Sequence, residues 1–216
     1  MEKTCLIAGK SGALLADIVR RCSAAGRLPL VARSGQADLP GIPPGAPAPV
    51  SWNRRSALSA RSLLLHAQTV CGGISDVVVV YSPVQETTPF HIGAVVSIED
   101  RVDAEIKGYQ FLLRELVTVL QAQGSGRLVL AVLDHLNKPP APLEAAALAS
   151  FMALARSIQE FYQNERLAVQ LCYSSDVDTD GYAGLITTCL DAPRPRRPKS
   201  GWQTFPTRAR IRSVVP

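Results

Sequence analysis

The sequence predicts an α/β protein, a doubly wound and mostly parallel sheet with helices on both faces, and three observations carry that prediction. Short apolar runs alternate with segments of helical periodicity five or more times, the order that a parallel sheet with crossover helices requires. Val77-Val78-Val79-Val80 is an unbroken β-branched run, which suits a strand covered on both faces. The intervening segments repeat leucine and isoleucine at helical spacing, as one buried helix face demands. The crossovers are expected to be right-handed.

The first strand spans Lys3 to Ala8, and the turn Gly9-Lys10-Ser11-Gly12 breaks it. Leu14, Leu15, Ile18, Val19 and Cys22 place a helix after the turn, Gly26 stands where a C-cap belongs, and Leu28 to Ala32 is a second strand. The opening is a βαβ unit. Ala37 to Val50 is crowded with proline and glycine and must be an extended connection, because proline rings clash inside a helix and lack the amide donor. Val50-Ser51-Trp52 reads as a short third strand, Ser56 to Val70 as a helix closed by Cys71-Gly72-Gly73, and Asp76 to Tyr81 as a central strand. Ser97 is a candidate N-cap for a long helix reaching Gln121, with Val102, Ile106, Tyr109, Leu112 and Leu116 on one face. Leu128 to Leu133, Pro142 to Phe161 and Leu167 to Tyr173 continue as strand, helix and strand. Arg208 to Arg212 alternates as an edge strand would.

A chain of 216 residues with 47% hydrophobic and 19% charged content can bury a substantial core. One domain over residues 1–191 is expected, followed by a basic segment, 192–216. No apolar run approaches the ~20 residues of a spanning helix, and the first strand begins close to Met1 without a basic leader. The expected location is the cytoplasm, without membrane contact. The five cysteines include no C-x-x-C pair and lie mostly in apolar runs, as reduced buried thiols do. Of the net charge of +5, seven basic residues and no acidic ones follow Asp191, so the body is slightly acidic. Such a tail could attract nucleic acid by counterion release, but Trp202 and Phe205 are its only aromatics and no nucleic-acid motif accompanies it. A solvated basic end is the favoured reading.

In order and spacing these segments resemble the short-chain dehydrogenase/reductase family, over residues 3 to about 173. Ala8-Gly9-Lys10-Ser11-Gly12-Ala13-Leu14-Leu15 resembles the family's T-G-x-x-x-G-x-G turn, and Asp76 to Pro83 the strand that runs into N-N-A-G. Ile106-Lys107-Gly108 is similar to the approach to the central helix, Gly126-Arg127-Leu128-Val129 to the strand ending in the catalytic serine, and Leu154 to Ile158 to the stretch after Y-x-x-x-K. The resemblance implies a Rossmann-like fold, a nicotinamide dinucleotide, and a homodimer through the two long helices, where Ala145, Ala146, Ala149 and Ala153 permit close approach.

The positions to which the family assigns chemistry carry other residues. The register puts Glu144 at the tyrosine, Leu148 at the lysine, Glu105 at the asparagine and about Leu133 at the serine. A leucine can neither donate a proton nor lower a neighbour's pKa. In the cofactor turn Gly9 keeps the first glycine, while Ala13 and Leu15 replace the second and third. Leu15 is expected to push the helix outward or to fill space a dinucleotide would occupy. Candidate cofactor-binding residues are nonetheless present. Gly9, Lys10, Ser11 and Gly12 could hold a phosphate at a helix start; Arg33 follows the second strand, where the resemblance implies a 2′-phosphate partner, and Asn53 could contact an adenine edge. The expectation is of no bound cofactor, with NADP as the alternative.

Other chemistry is thinner. Asp134-His135 follows a central strand, but neighbours on extended chain point to opposite faces. Tyr81, Ser82 and Tyr173-Ser174-Ser175 end adjacent strands without a positioned base. Asp176, Asp178 and Asp180 alternate like the start of a calcium loop, yet Thr187 stands where its bidentate glutamate belongs. No metal and no catalytic residue is expected. The sequence therefore reads as a non-catalytic binding or scaffolding domain with an unknown protein partner. The alternatives are an NADP-dependent oxidoreductase with a rearranged acid/base set, using Tyr81 or His135, and a polyanion-binding protein working through its tail.

Overall fold

The computed structural model describes residues 3–10, 12–34, 46–85, 88–134, 140–192 and 201–205. Seven strands form one sheet in the order β3-β2-β1-β4-β5-β6-β7, and every neighbouring pair is parallel. They are β1 (Lys3–Lys10), β2 (Arg27–Ser34), β3 (Val50–Ser51), β4 (Asp76–Tyr81), β5 (Gly126–Leu133), β6 (Leu167–Ser174) and β7 (Trp202–Phe205). The Rossmann-like α/β fold is as the sequence predicts. All six residues of β4 are buried, which explains its unbroken β-branched run: helices cover both of its faces.

Among the described residues there are six α-helices, α1 (Ala13–Ala24), α2 (Ala57–Cys71), α3 (Val95–Arg101), α4 (Gly108–Ala122), α5 (Pro142–Phe161) and α6 (Thr179–Asp191), and all but α3, which buries no side chain, pack on the sheet. Ser56 caps α2 by accepting from Ser59 N–H, and Gly72 ends it in the left-handed conformation, φ 68°, the backbone glycine adopts most cheaply. The helix expected to start at Ser97 begins instead at Val95, and a π turn, Val102–Lys107, joins α3 to α4. That inserted residue is invisible to a fixed helical period.

Two cores result. One lies under α2, α4 and α5 and centres on Trp52, Tyr81, Tyr109 and Phe151, whose rings meet at 5.0–5.5 Å between centroids. The other, called the lower core as the first is the upper, lies under α1 and α6, with Ile7, Leu15, Ile18, Val78 and Ile186. The two faces decide the connection sense. Connections through α2, α4 and α5 run toward the β7 edge on one face, and α1 runs toward the β3 edge on the other, so all share one hand. The connection through α6 also runs toward the β7 edge but lies on the face of α1, so its hand is opposite. Among the described crossovers this is the departure from the right-handed rule, and it lays α6 beside α1.

Gly108 shows how closely the upper layer fits. A Cβ there would fall 2.4 Å from the backbone oxygen of Arg54, and backbone cannot give way as a flexible side chain would. Gly108→Ala should cost about 1–3 kcal/mol through overpacking, read as a lower urea midpoint; an unchanged midpoint would show that the Arg54 segment moves aside freely.

Candidate functional site

The carboxyl ends of β1, β4, β5 and β6 open into a cleft of about 530 Å³, beside the point where strand order reverses between β1 and β4. Ligands bind at such switch points in open α/β sheets, and this volume lies within the ordinary range for them. Lys10, Gly12, Ala13, Leu14 and Leu15 form one wall, Val80, Ser82, Pro83 and Leu133 the back, and Asp176, Val177 and Thr179 the opposite wall.

The α1 wall suits an anion. Gly12 stands at the N-cap with no side-chain capping bond, and the first turn holds no acidic residue, so its amides and the positive helix end face the cleft. A Cβ on Gly12 would meet nothing within 4 Å, so room remains there for a ligand. Leu15 contributes to this wall of the cleft, but most of its side chain lies in the core behind it. It is 1% exposed and packs in the lower core, with Cδ1 3.4 Å from where a Cβ on Gly9 would stand. Gly9 itself is required, since that Cβ would crowd the Cβ and oxygen of Val80 at 3.1 Å.

Lys10 reaches from β1 across the cleft edge. Its Nζ donates to Ser82 O at 2.8 Å and lies 3.2 Å from Glu105 Oε2, while Arg54 Nη1 lies 2.9 Å from Glu105 Oε1. Glu105 is buried and sits in the π turn, which turns it inward between the two cations. Burial pulls the Lys10 ammonium down to about 8, with Glu105 opposing the shift and Arg54 adding to it. Neither Arg54 nor this triad is readable from sequence, because its members come from the end of β1, the turn before α2 and the π turn.

The remaining sequence candidates separate. Arg33 pairs in register with Gly9 at the neighbouring strand end but does not line the cleft. Asn53 spends its Oδ1 on Arg55 N–H and its own amide on Ser59 Oγ, forming the turn before α2. Ser11, His135 and the tail beyond Phe205 lie outside the described residues. Of the other positions tied to the family's chemistry, Leu133 lines the cleft, Leu148 packs against the upper core, and Glu144 accepts from Ala141 N–H at the start of α5.

Tyr81 is 1% exposed, and burial pushes its hydroxyl well above the usual range. It belongs to the aromatic core rather than to the cleft. Tyr173 donates to Asp134 Oδ2 at 3.1 Å, and burial together with that carboxylate raises its pKa, the wrong direction for a proton donor near neutrality. Two other tyrosines satisfy strand-end carbonyls: Tyr109 donates to Val80 O and Tyr182 to Val132 O. The acids of the calcium-like stretch are all engaged. Asp176 accepts from Asp178 N–H, Asp178 caps α6 through Gly181 N–H, and hydrogen bonds from Arg21 and Arg20 hold Asp180 at about 2. No group of three or more metal-ligating side chains occurs among the described residues, and no described helix is long and apolar enough to cross a membrane.

No family model and no curated protein matches the sequence, but solved structures match the fold. A metagenomic short-chain oxidoreductase in complex with NADP superposes with a TM-score of 0.77 at 15% identity, covering 94% of this chain and 96% of that one. A dehydrogenase/reductase from Sinorhizobium meliloti gives 0.73 at 15% identity over 94% and 92%, and a short-chain dehydrogenase from Rhodopseudomonas palustris 0.76 at 14% over 94% and 97%. The chain thus has the fold of short-chain dehydrogenases along nearly its whole length. The expectation of no cofactor is corrected by the first of these: a chain of this architecture is known with NADP in place.

Proposed function

We propose that this chain is a dinucleotide-binding protein of short-chain dehydrogenase-like fold, which takes an NADP-type ligand in the α1 cleft and works without the family's tyrosine–lysine proton relay. The observation that carries the reading is the uncapped start of α1 opening onto the cleft, with Gly12 leaving space and Lys10 at the rim. The amides of α1 would hold a phosphate oxygen, Lys10 would add charge, and Leu133 would present an apolar wall to a ring. A bound nicotinamide would supply hydride chemistry, but no tyrosine is among the described residues lining the cleft, and the Lys10 ammonium is held by Glu105 and Ser82 O. The ligand then acts as a bound signal or a structural element. The exposed stripe Ala146, Ala149 and Ala153 on α5 supports pairing of two copies through α4 and α5 as the assembly.

Titration with NADPH tests the reading. Saturable fluorescence enhancement without NADPH consumption in the presence of aldehydes and ketones is the expected result. Steady consumption would favour the oxidoreductase instead, and an absent response would remove both. The pH dependence follows from Lys10. Its charge, and its share of phosphate affinity, are present below about 8 and lost as pH rises through that value, so affinity should fall several-fold between about pH 7 and about pH 9. Lys10→Met should bind more weakly with a flat profile. For folding the sign reverses: a lysine lowered in the folded state leaves the unfolded chain holding more protons above about 8, so stability from this residue rises with pH.

A further inference from the structure

We propose that the chain carries two oxidisable dithiols, Cys5 with Cys22 and Cys172 with Cys189, each able to close to a disulfide that latches a helix walling the cleft to the strand before it. The sulfurs stand 3.8 Å apart in the first pair and 3.6 Å in the second. Both pairs span 17 residues, both join a strand to the helix that follows it, β1 to α1 and β6 to α6, and both lie in the lower core. Burial of a small apolar thiol accounts for each cysteine singly. It does not account for two sulfur–sulfur contacts built the same way in two separate parts of the chain. Cys71 packs on the opposite face and has no thiol neighbour among the described residues, so it serves as an internal control.

The oxidant is a hydroperoxide, and the atoms balance. One thiolate sulfur attacks the terminal peroxide oxygen; the O–O bond breaks, an alcohol or water leaves, and the sulfur becomes a sulfenic acid. The partner thiol then attacks that sulfur, the S–O bond breaks, and the hydroxyl departs as water with the partner's proton. Two thiols are oxidised and one hydroperoxide is reduced. The sulfurs must close to about 2.05 Å, a movement that rotation of the two side chains can share.

The pairs differ in cover, which sets their order. Cys189 lies 3.7 Å from Gln203 Oε1 on β7, a four-residue strand at the sheet edge. Edge strands of that length open readily, whereas Cys5 lies on β1, paired with both β2 and β4 in the sheet interior. Cys172–Cys189 therefore closes first.

The experiment treats the folded chain with hydrogen peroxide, blocks remaining thiols under denaturing conditions at intervals, and reads intact mass and linked peptides. The expected course is loss of two blockable thiols as a Cys172–Cys189 link, then of two more as Cys5–Cys22, leaving Cys71 alone of the five cysteines to take the label. Cys189→Ala should abolish the first link and spare the second, and Cys22→Ala the reverse. Links that involve Cys71, links between chains, oxidation only to sulfinic or sulfonic acid, or retention of all five thiols while a small dithiol in the same tube is consumed would each overturn the proposal. NADPH binding is not needed for any of these readouts, so this inference stands or falls apart from the proposed ligand.

Discussion

Gly12→Asp is expected to leave the fold as stable as before, or slightly more so, while lowering NADPH affinity at least ~10-fold, the effect of ~1.4 kcal/mol. Gly12 has φ 169° and ψ 176°, extended backbone that any residue adopts, and a Cβ there meets nothing within 4 Å. Aspartate is also a good N-cap, gaining a few tenths of a kcal/mol over glycine. The same carboxylate would take the first-turn amides and put a negative charge where a ligand phosphate must sit. Thermal melting and NADPH titration on one preparation separate the two effects. Unchanged affinity would remove the phosphate from α1; a collapsed melting temperature would make Gly12 structural.

Arg27→Ala should cost about 3–5 kcal/mol, the loss typical of breaking a buried ion pair from one side. The guanidinium Nε lies 2.9 Å from Asp76 Oδ2, with both side chains 2% exposed, and Nη2 reaches Asp191 at 2.7 Å. Without Arg27, the ion pair left to Asp76 among the described residues is with Arg127 at 3.8 Å. Replacing both partners with apolar residues, Arg27→Met with Asp76→Leu, should recover most of the loss, because no buried charge is then stranded. Urea midpoints decide the matter. Equal losses in the single and double variants would mean that side-chain packing, rather than charge, holds this corner. All these groups lie at the amino ends of the strands, away from the cleft, so dinucleotide affinity of the folded fraction should not change.

The layers of this protein were legible because their signals are local. Val77 to Val80 and Leu128 to Leu133 announce buried strands by composition, and Leu14, Leu15, Ile18 and Val19 announce α1 by period. The cleft was legible on its α1 side, where Gly9, Lys10 and Gly12 share one turn, and at its back, where Ser82 and Leu133 end adjacent strands. Its far wall, Asp176 to Thr179, resembled only an incomplete calcium loop, because nothing local says that the last crossover changes hand and carries α6 over to α1. Glu105 was found only as a position lacking asparagine; its meeting with Lys10 and Arg54 depends on the π turn, which no helical period reveals. Leu15 misled for a related reason. A sequence states that a bulky side chain is present but not whether it points into a cavity or beneath it.

The placement of α6 beside α1 has a consequence for how the molecule matures on the ribosome. Arg20 and Arg21 bond to Asp180 across 160 and 159 residues, and Thr179 bonds to Asp17 across 162, so one side of the cleft is synthesised well before the other. Loop closure over that separation cannot occur until α6 has emerged. The nascent segment carrying α1 must therefore wait with its side of the cleft unmatched.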